Sequence, residues 1–295
     1  MAAQPSVSGV LRGLLSRRGS NSRGRLGAPV RRDFVVDDTT NPDGHLSTTP
    51  LMSLVRQRSG TGGPGGQVRL KLLLSLILIC ADEPYDSTRD AWVWASFIGL
   101  PDPRKAGARR IRTALHELEQ RKFIKLEQRE KGKALTAVLL REDGSGAPYT
   151  NPVRLTEERE STLENVYFRV PMQFWQRQHV SDITTPAMVM WLILLAESRG
   201  ERRPWWFTDN HARSRYGVTA SFRRQGLNEL LERGIVTMEK VASSALRRTT
   251  PRRVYTLTHL QPGTTKSKAQ ERADELLSTL NSAEREALRQ LLDDQ

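Results

Sequence analysis

The chain has a single cysteine, Cys80, in 295 residues. An internal disulfide cannot form, and the paired thiolates of a Cys-based zinc site are missing. Cys80 lies in the apolar run 72–81 and reads as a small buried hydrophobe in a reducing compartment. That run, bounded by Arg69, Lys71 and Asp82, is too short to span a bilayer and reads as a core helix. The histidines, His45, His116, His179, His211 and His259, have no metal-ligand partner at helical spacing. The glycine-rich stretch 60–66 is a hinge; no Gly-Lys-Ser/Thr follows it, so it is not a phosphate-cradling loop. No Gly-x-Ser-x-Gly elbow occurs, and the acidic pairs Asp37-Asp38 and Asp293-Asp294 fall in an arm and a tail. These absences leave no catalytic residue, metal or cofactor to assign, and the chain is expected not to be an enzyme. Acidic residues are also missing before Asp33. That composition overlaps organellar leaders, but a disordered basic arm on a cytoplasmic, nucleoid-associated protein is the expectation. No secretory apolar region stands out.

What the chain does have is positive charge: 46 Lys and Arg against 33 Asp and Glu, a formal net charge of +13. Residues 1–66 hold nine cations and four anions, and residues 262–295 five and seven, so most of the excess falls between them. A basic folded region favours a polyanionic partner, of which nucleic acid is the usual one.

The length suggests about two domains. Residues 1–66, rich in Gly, Ser, Pro and Arg, read as a disordered basic arm, with a short helix starting at Pro50 under a Thr49 cap. From Val68 the pattern runs helix, helix, turn at Gly99, helix from about Pro103 to Arg121, then a hairpin from Phe123 to Leu140. Ser87 or Thr88 is the expected cap of the second of these helices. Residues 67–141 are the first expected domain and 142–164 a linker. Residues 165–261 repeat the order, with a helix from Thr185-Pro186, a helix capped by Thr208 or Asp209, the turn Gly217-Val218, a third helix ending at Gly234, and a hairpin. Residues 262–295 read as a helical tail whose leucine face suits either homodimerisation or packing back on the second domain. The expected class is mainly α with small β-wings (α+β).

The repetition can be tested by shifting the chain 112 residues. Arg112, Leu115, Glu117, Leu118, Arg121 and Glu127 then fall on Arg224, Leu227, Glu229, Leu230, Arg233 and Glu239, six identities in sixteen positions. The stretch Gly217 to Val236, with Phe222-Arg223-Arg224-Gln225-Gly226-Leu227-Asn228-Glu229-Leu230-Leu231, resembles bacterial winged helix-turn-helix proteins. So does the first block, through Ile98-Gly99-Leu100 and Arg109 to Glu119. Two such domains in tandem are similar to plasmid replication initiators and to mobile-element regulators. The resemblance implies double-stranded DNA as partner, the third helix of each block in a major groove, and the wing on phosphates or in the minor groove.

Residue chemistry agrees with that implication at particular positions. With Ile111, Ala114, Leu115 and Leu118 inward, Lys105, Arg109, Arg112, Thr113 and His116 lie on or beside the outward face. In the second block Ser221, Gln225 and Asn228 are outward and Arg223 and Arg224 flank the core stripe. Arg suits guanine or phosphate, Gln and Asn suit adenine. His211, Arg213 and Arg215 on the preceding helix are expected to reach DNA backbone. The second wing carries Arg247, Arg248, Arg252 and Arg253; the first offers Arg129, Lys131 and Lys133, diluted by Glu127 and Glu130. The tryptophans are expected mostly to pack, with stacking on nucleic acid conceivable only around Arg202 to Trp206. A sequence-specific transcriptional regulator is the leading expectation. A replication initiator and a winged-helix protein-interaction module are the alternatives.

Overall fold

The computed structural model describes residues 27–38, 46–56, 65–129, 134–157, 165–176, 179–198, 203–241 and 251–258. The helical tail, and dimerisation through it, lie outside the described residues, as do the first 26 positions.

Where it is described, the arm is folded, against expectation. Gly27–Arg31 forms strand β1 and Pro50–Val55 forms helix α1, with Thr49 Oγ1 accepting from the Met52 amide at 3.2 Å. β1 runs antiparallel to β5 (Tyr167–Pro171), Ala28 opposite Val170 and Val30 opposite Phe168. Ala28, Val30, Phe34, Val35 and Val36 are all buried. Averaged composition hides these few apolar residues, and the strand that pairs with them lies far away in sequence.

Helix α2 (Gly65–Ile79) follows, then β2 (Asp86–Thr88) and α3 (Ala91–Phe97). Ser87 and Thr88 therefore sit in a strand and do not cap α3, which begins after Asp90. A π-type turn over Pro103–Gly107 leads into α4 (Ala108–Gln120), and β3 (Ile124–Glu127) and β4 (Thr136–Leu139) form a hairpin. After α5 (Pro152–Glu157), β5, α6 (Gln173–Gln176) and α7 (His179–Asp182), the order recurs. It runs α8 (Thr185–Ser198), β6 (Trp205–Trp206), α9 (Asp209–Tyr216), α10 (Ala220–Glu232), β7 (Val236–Val241) and β8 (Arg252–Leu257). The strand orders also match: β2-β4-β3 in the first block and β6-β8-β7 in the second. The fold is thus α+β with small sheets. Helices α4 and α10 begin and end 112 residues apart, the shift read from the sequence. Both stop at a left-handed residue, Lys122 (φ 61°) and Gly234 (φ 64°).

The identities shared across that shift now separate by role. Leu115, Leu118, Leu227 and Leu230 are buried. Glu117 takes the buried Arg69 guanidinium at 2.6 Å, and Glu229 accepts from the Thr184 amide and hydroxyl. Arg121 and Arg233 reach the carbonyls of Ser53 and Asp182. In the second block the seat is tighter. A Cβ at Gly226 would lie 2.3 Å from the Pro186 carbonyl oxygen, so glycine lets α10 close on α8.

The described part of the expected linker, residues 142–157, packs onto the arm and the first block, Asn151 donating to the Ala81 carbonyl at 2.8 Å. Glu142 is buried and pairs with the equally buried Arg31 at 2.9 Å. Arg31 also donates to the Thr150 carbonyl and hydroxyl and to Asn165. Trp175 Nε1 donates to Ser75 at 3.0 Å, and Gln67 to the Ile183 carbonyl at 2.7 Å, so α2 of the first block rests on the lead-in to the second. One continuous apolar core runs through both blocks in place of two separate ones. Among the described residues no helix is long and apolar enough to cross a membrane.

Candidate nucleic-acid interface

Local sequence sets the pose of α10. Thr219 caps it, its hydroxyl accepting from the Phe222 amide at 3.4 Å. Thr208 caps α9 in the same way, accepting from the His211 amide at 3.1 Å, and Gly217, left-handed at φ 67°, ends that helix. The Gly217 carbonyl is held by Arg56 of the arm at 2.7 Å, which fixes the turn between the helices. With Leu227 and Leu230 inward, Ser221, Arg224, Gln225 and Asn228 are exposed, as expected.

Opposite α10 lie β6 and β8, and between them opens a cleft of about 730 Å³. It gathers Ser221, Arg223, Arg224 and Asn228 from the helix with Arg252 and Arg253 from β8. Gln225, though exposed, is not among the residues that line it. The lining adds residues that the sequence reading did not count among the DNA contacts: Trp206, Asp209, Leu227 and Tyr255. Trp206 is 38% exposed, and the Arg252 guanidinium stands 4.2 Å from its ring centroid. The alternation in Trp205-Trp206, one ring in and one out, was a usable signal, but a two-residue strand is too short to announce itself. Arg223 is half-buried: its Nη2 donates to Asp209 Oδ1 at 2.5 Å, and its Nη1 has no partner among the described residues.

In the first block Lys105, Arg109, Arg112, Thr113 and His116 are all exposed along the π turn and α4. The Thr113 hydroxyl donates to the Arg109 carbonyl at 3.2 Å, so it is partly occupied by its own helix. Arg104 stacks on Trp92 at 4.4 Å. In the first wing Arg129 is tied to Asp86 at 2.7 Å and to Glu127 at 3.3 Å, Glu127 being one of the two acidic residues expected to dilute that wing's charge. Lys131 and Lys133 of that wing, and Arg247 and Arg248 of the second, lie outside the described residues.

Two expected backbone contacts on α9 need correction. Arg215 is half-buried and paired with Asp38 at 2.7 Å and Glu197 at 3.3 Å. It staples the arm to α8 and is not offered to a ligand. Glu197, itself buried, also takes Arg32 and the Tyr216 hydroxyl. His211 packs against Trp205 and Tyr216, and burial together with Arg215 lowers its pKa, which favours a neutral ring. Arg213 is exposed. Trp94, Trp175 and Trp191 are buried, as expected, and Trp206 is exposed, within the one stretch for which the sequence allowed another role. Among the described residues no three His, Cys, Asp or Glu side chains gather to hold a metal ion.

No family model, curated protein or solved structure matches the chain.

Proposed function

We propose that the protein binds double-stranded DNA in a sequence-specific manner through two winged helix-turn-helix modules in tandem, and acts as a transcriptional regulator. Helix, strand, helix, helix and hairpin, with the last strand in the middle of the sheet, is the order such modules use. One observation carries the reading. Of the pairs repeated at 112 residues, the leucines are buried and Glu117/Glu229 and Arg121/Arg233 dock their helices. Arg112 and Arg224 instead stand exposed on the outward face of α4 and α10. A cation repeated there, at the same helical phase, serves neither core nor docking.

In this reading α4 and α10 enter two neighbouring major grooves. Arg109, Arg112 and Arg224 pair with guanine edges or phosphates, and Gln225 and Asn228 with adenine. Arg252 and Arg253 hold the strand that passes between helix and wing. Specific affinity falls in the range of about 10⁻⁸ to 10⁻¹¹ M at physiological salt. Arg112→Ala and Arg224→Ala each weaken it by about 1–3 kcal/mol and relax the preference at one base position, as fluorescence anisotropy on matched and mismatched duplexes would report.

The experiment that tests the reading selects duplexes from a random pool with the purified full chain at near-physiological salt and sequences what is retained. A motif with two half-sites supports tandem readout. Repeated copies of that motif beside the gene would replace regulation by replication initiation. Failure to retain DNA would overturn the reading and leave the modules as protein-interaction surfaces.

A further inference from the structure

Asp209 stands out in the cationic cleft. It is the one carboxylate among the described residues that line it, beside Arg223, Arg224, Arg252 and Arg253. Its partner is the guanidinium of Arg223, whose side chain is only 19% exposed while Asp209 is 68% exposed. The arginine is therefore held by its surroundings, and the carboxylate is free to swing away. The ion pair uses one edge atom, Nη2, and leaves Nη1 without a partner and shielded from solvent. A phosphodiester entering from the cleft can take the carboxylate's place on Nη2, as a charge-assisted N–H acceptor of the same kind. Asp209 also sits on the first turn of α9, directly after the Thr208 cap. The backbone there favours an anion of either kind.

We propose that Asp209 is a resident competitor for DNA phosphate: in the free protein it occupies Arg223, and a phosphodiester entering the cleft displaces it. The proposal rests on the DNA-binding reading above and adds to it a residue that sets how readily the backbone is engaged. The competitor weakens binding to every duplex alike, because it meets phosphate and not bases. Base contacts made by α4 and α10 are untouched, so overall affinity is lowered while the ratio between specific and non-specific binding stays the same. Exposed ion pairs are cheap to break, so the barrier is low enough for a well-placed strand to cross.

The test is a double-mutant cycle on the full chain, Asp209→Asn and Arg223→Gln singly and together, titrated against a mixed-sequence duplex over a series of salt concentrations. Asp209→Asn is expected to bind about fivefold more tightly than the unaltered protein at low salt, with a log–log salt slope steeper by up to about 0.9, the contribution of one phosphate. Arg223→Gln weakens binding. In the Arg223→Gln background the Asp209 substitution has no effect, because the competition has lost its object. Thermal unfolding of each variant accompanies the titration. A purely structural role for Asp209 on the first turn of α9 would lower the melting temperature and leave affinity unchanged or reduced, which overturns the proposal. A gain of equal size in the Arg223→Gln background also overturns it, since that would be a general effect of removing negative charge. If the unaltered protein binds duplex and Asp209→Asn matches it, the competitor fails and the DNA reading stands. If the unaltered protein retains no duplex, the DNA reading fails and the competitor with it.

Discussion

Arginine does two different jobs in this chain, and its surroundings decide which. Arg31 is fully buried, with Glu142, Thr150 and Asn165 around its guanidinium and the Tyr149 ring 5.7 Å away. Burial pushes the Glu142 carboxyl up from the ordinary range, and Arg31 opposes that shift. A pair of this kind is weak evidence of net stabilisation, but removing one partner strands a charge in the interior. Glu142→Gln should therefore lower folding stability by about 3–5 kcal/mol, read as a fall in the urea midpoint at neutral pH. Arg112, Arg224, Arg252 and Arg253 are the opposite case, exposed and with no anionic partner described for them. Composition counts all of these residues alike. Only their neighbours separate the arginines that hold the molecule together from those that can meet a ligand.

At the scale of elements, α2 and α8 are buried on every side, because each carries apolar residues all round and must be enclosed. Helix α2 nevertheless includes Lys71, only 3% exposed, whose Nζ donates to the Ser181 carbonyl at 3.0 Å. Burial lowers its pKa from 10.5 to about 8, against the pull of Asp182 and Glu229. Between those two values the unfolded chain keeps a proton that the folded chain has released, so stability rises with pH across the window and falls again as pH drops towards 8. Relative to Lys71→Met, the unaltered protein should gain about 2 kcal/mol between pH 7.5 and 9.5, measured by urea unfolding. A flat difference would place the charge in better solvation than the geometry gives it. The third helices behave more simply. Although α4 begins without a side-chain cap, their apolar stripes, and the Gly234 stop of α10, were legible from spacing alone, because the helical period and turn chemistry are local properties. The short strands β2 and β6 were not, since two or three residues carry no period and exist only because β4 and β8 pair with them.

For the whole molecule, the arm is the element that changes the picture. β1 completes a two-stranded sheet with β5, Arg56 holds Gly217, and Arg32 and Asp38 join Glu197 and Arg215 of the second block, while Arg69 and Arg121 of the first donate to the Leu54 and Ser53 carbonyls, so the described residues of the arm touch both blocks. Deleting residues 1–38 would leave β5 unpaired and Glu142 buried without its cation. The truncated chain should lose the cooperative thermal transition of the full chain, whereas removal of a dispensable tail would leave it intact; differential scanning calorimetry tells these apart. Determined by the sequence itself were the internal repeat, its 112-residue period, the helix order and the outward faces of α4 and α10, because period, capping and turn chemistry act over a few residues. Left to the tertiary structure were the pairing of β1 with β5, the occupation of Arg215 by Asp38 and Glu197, and the meeting of Trp206 and Asp209 with the arginines of α10 and β8. Each joins residues distant along the chain, and whether a charge is free or spent depends on which carboxylate the fold brings beside it.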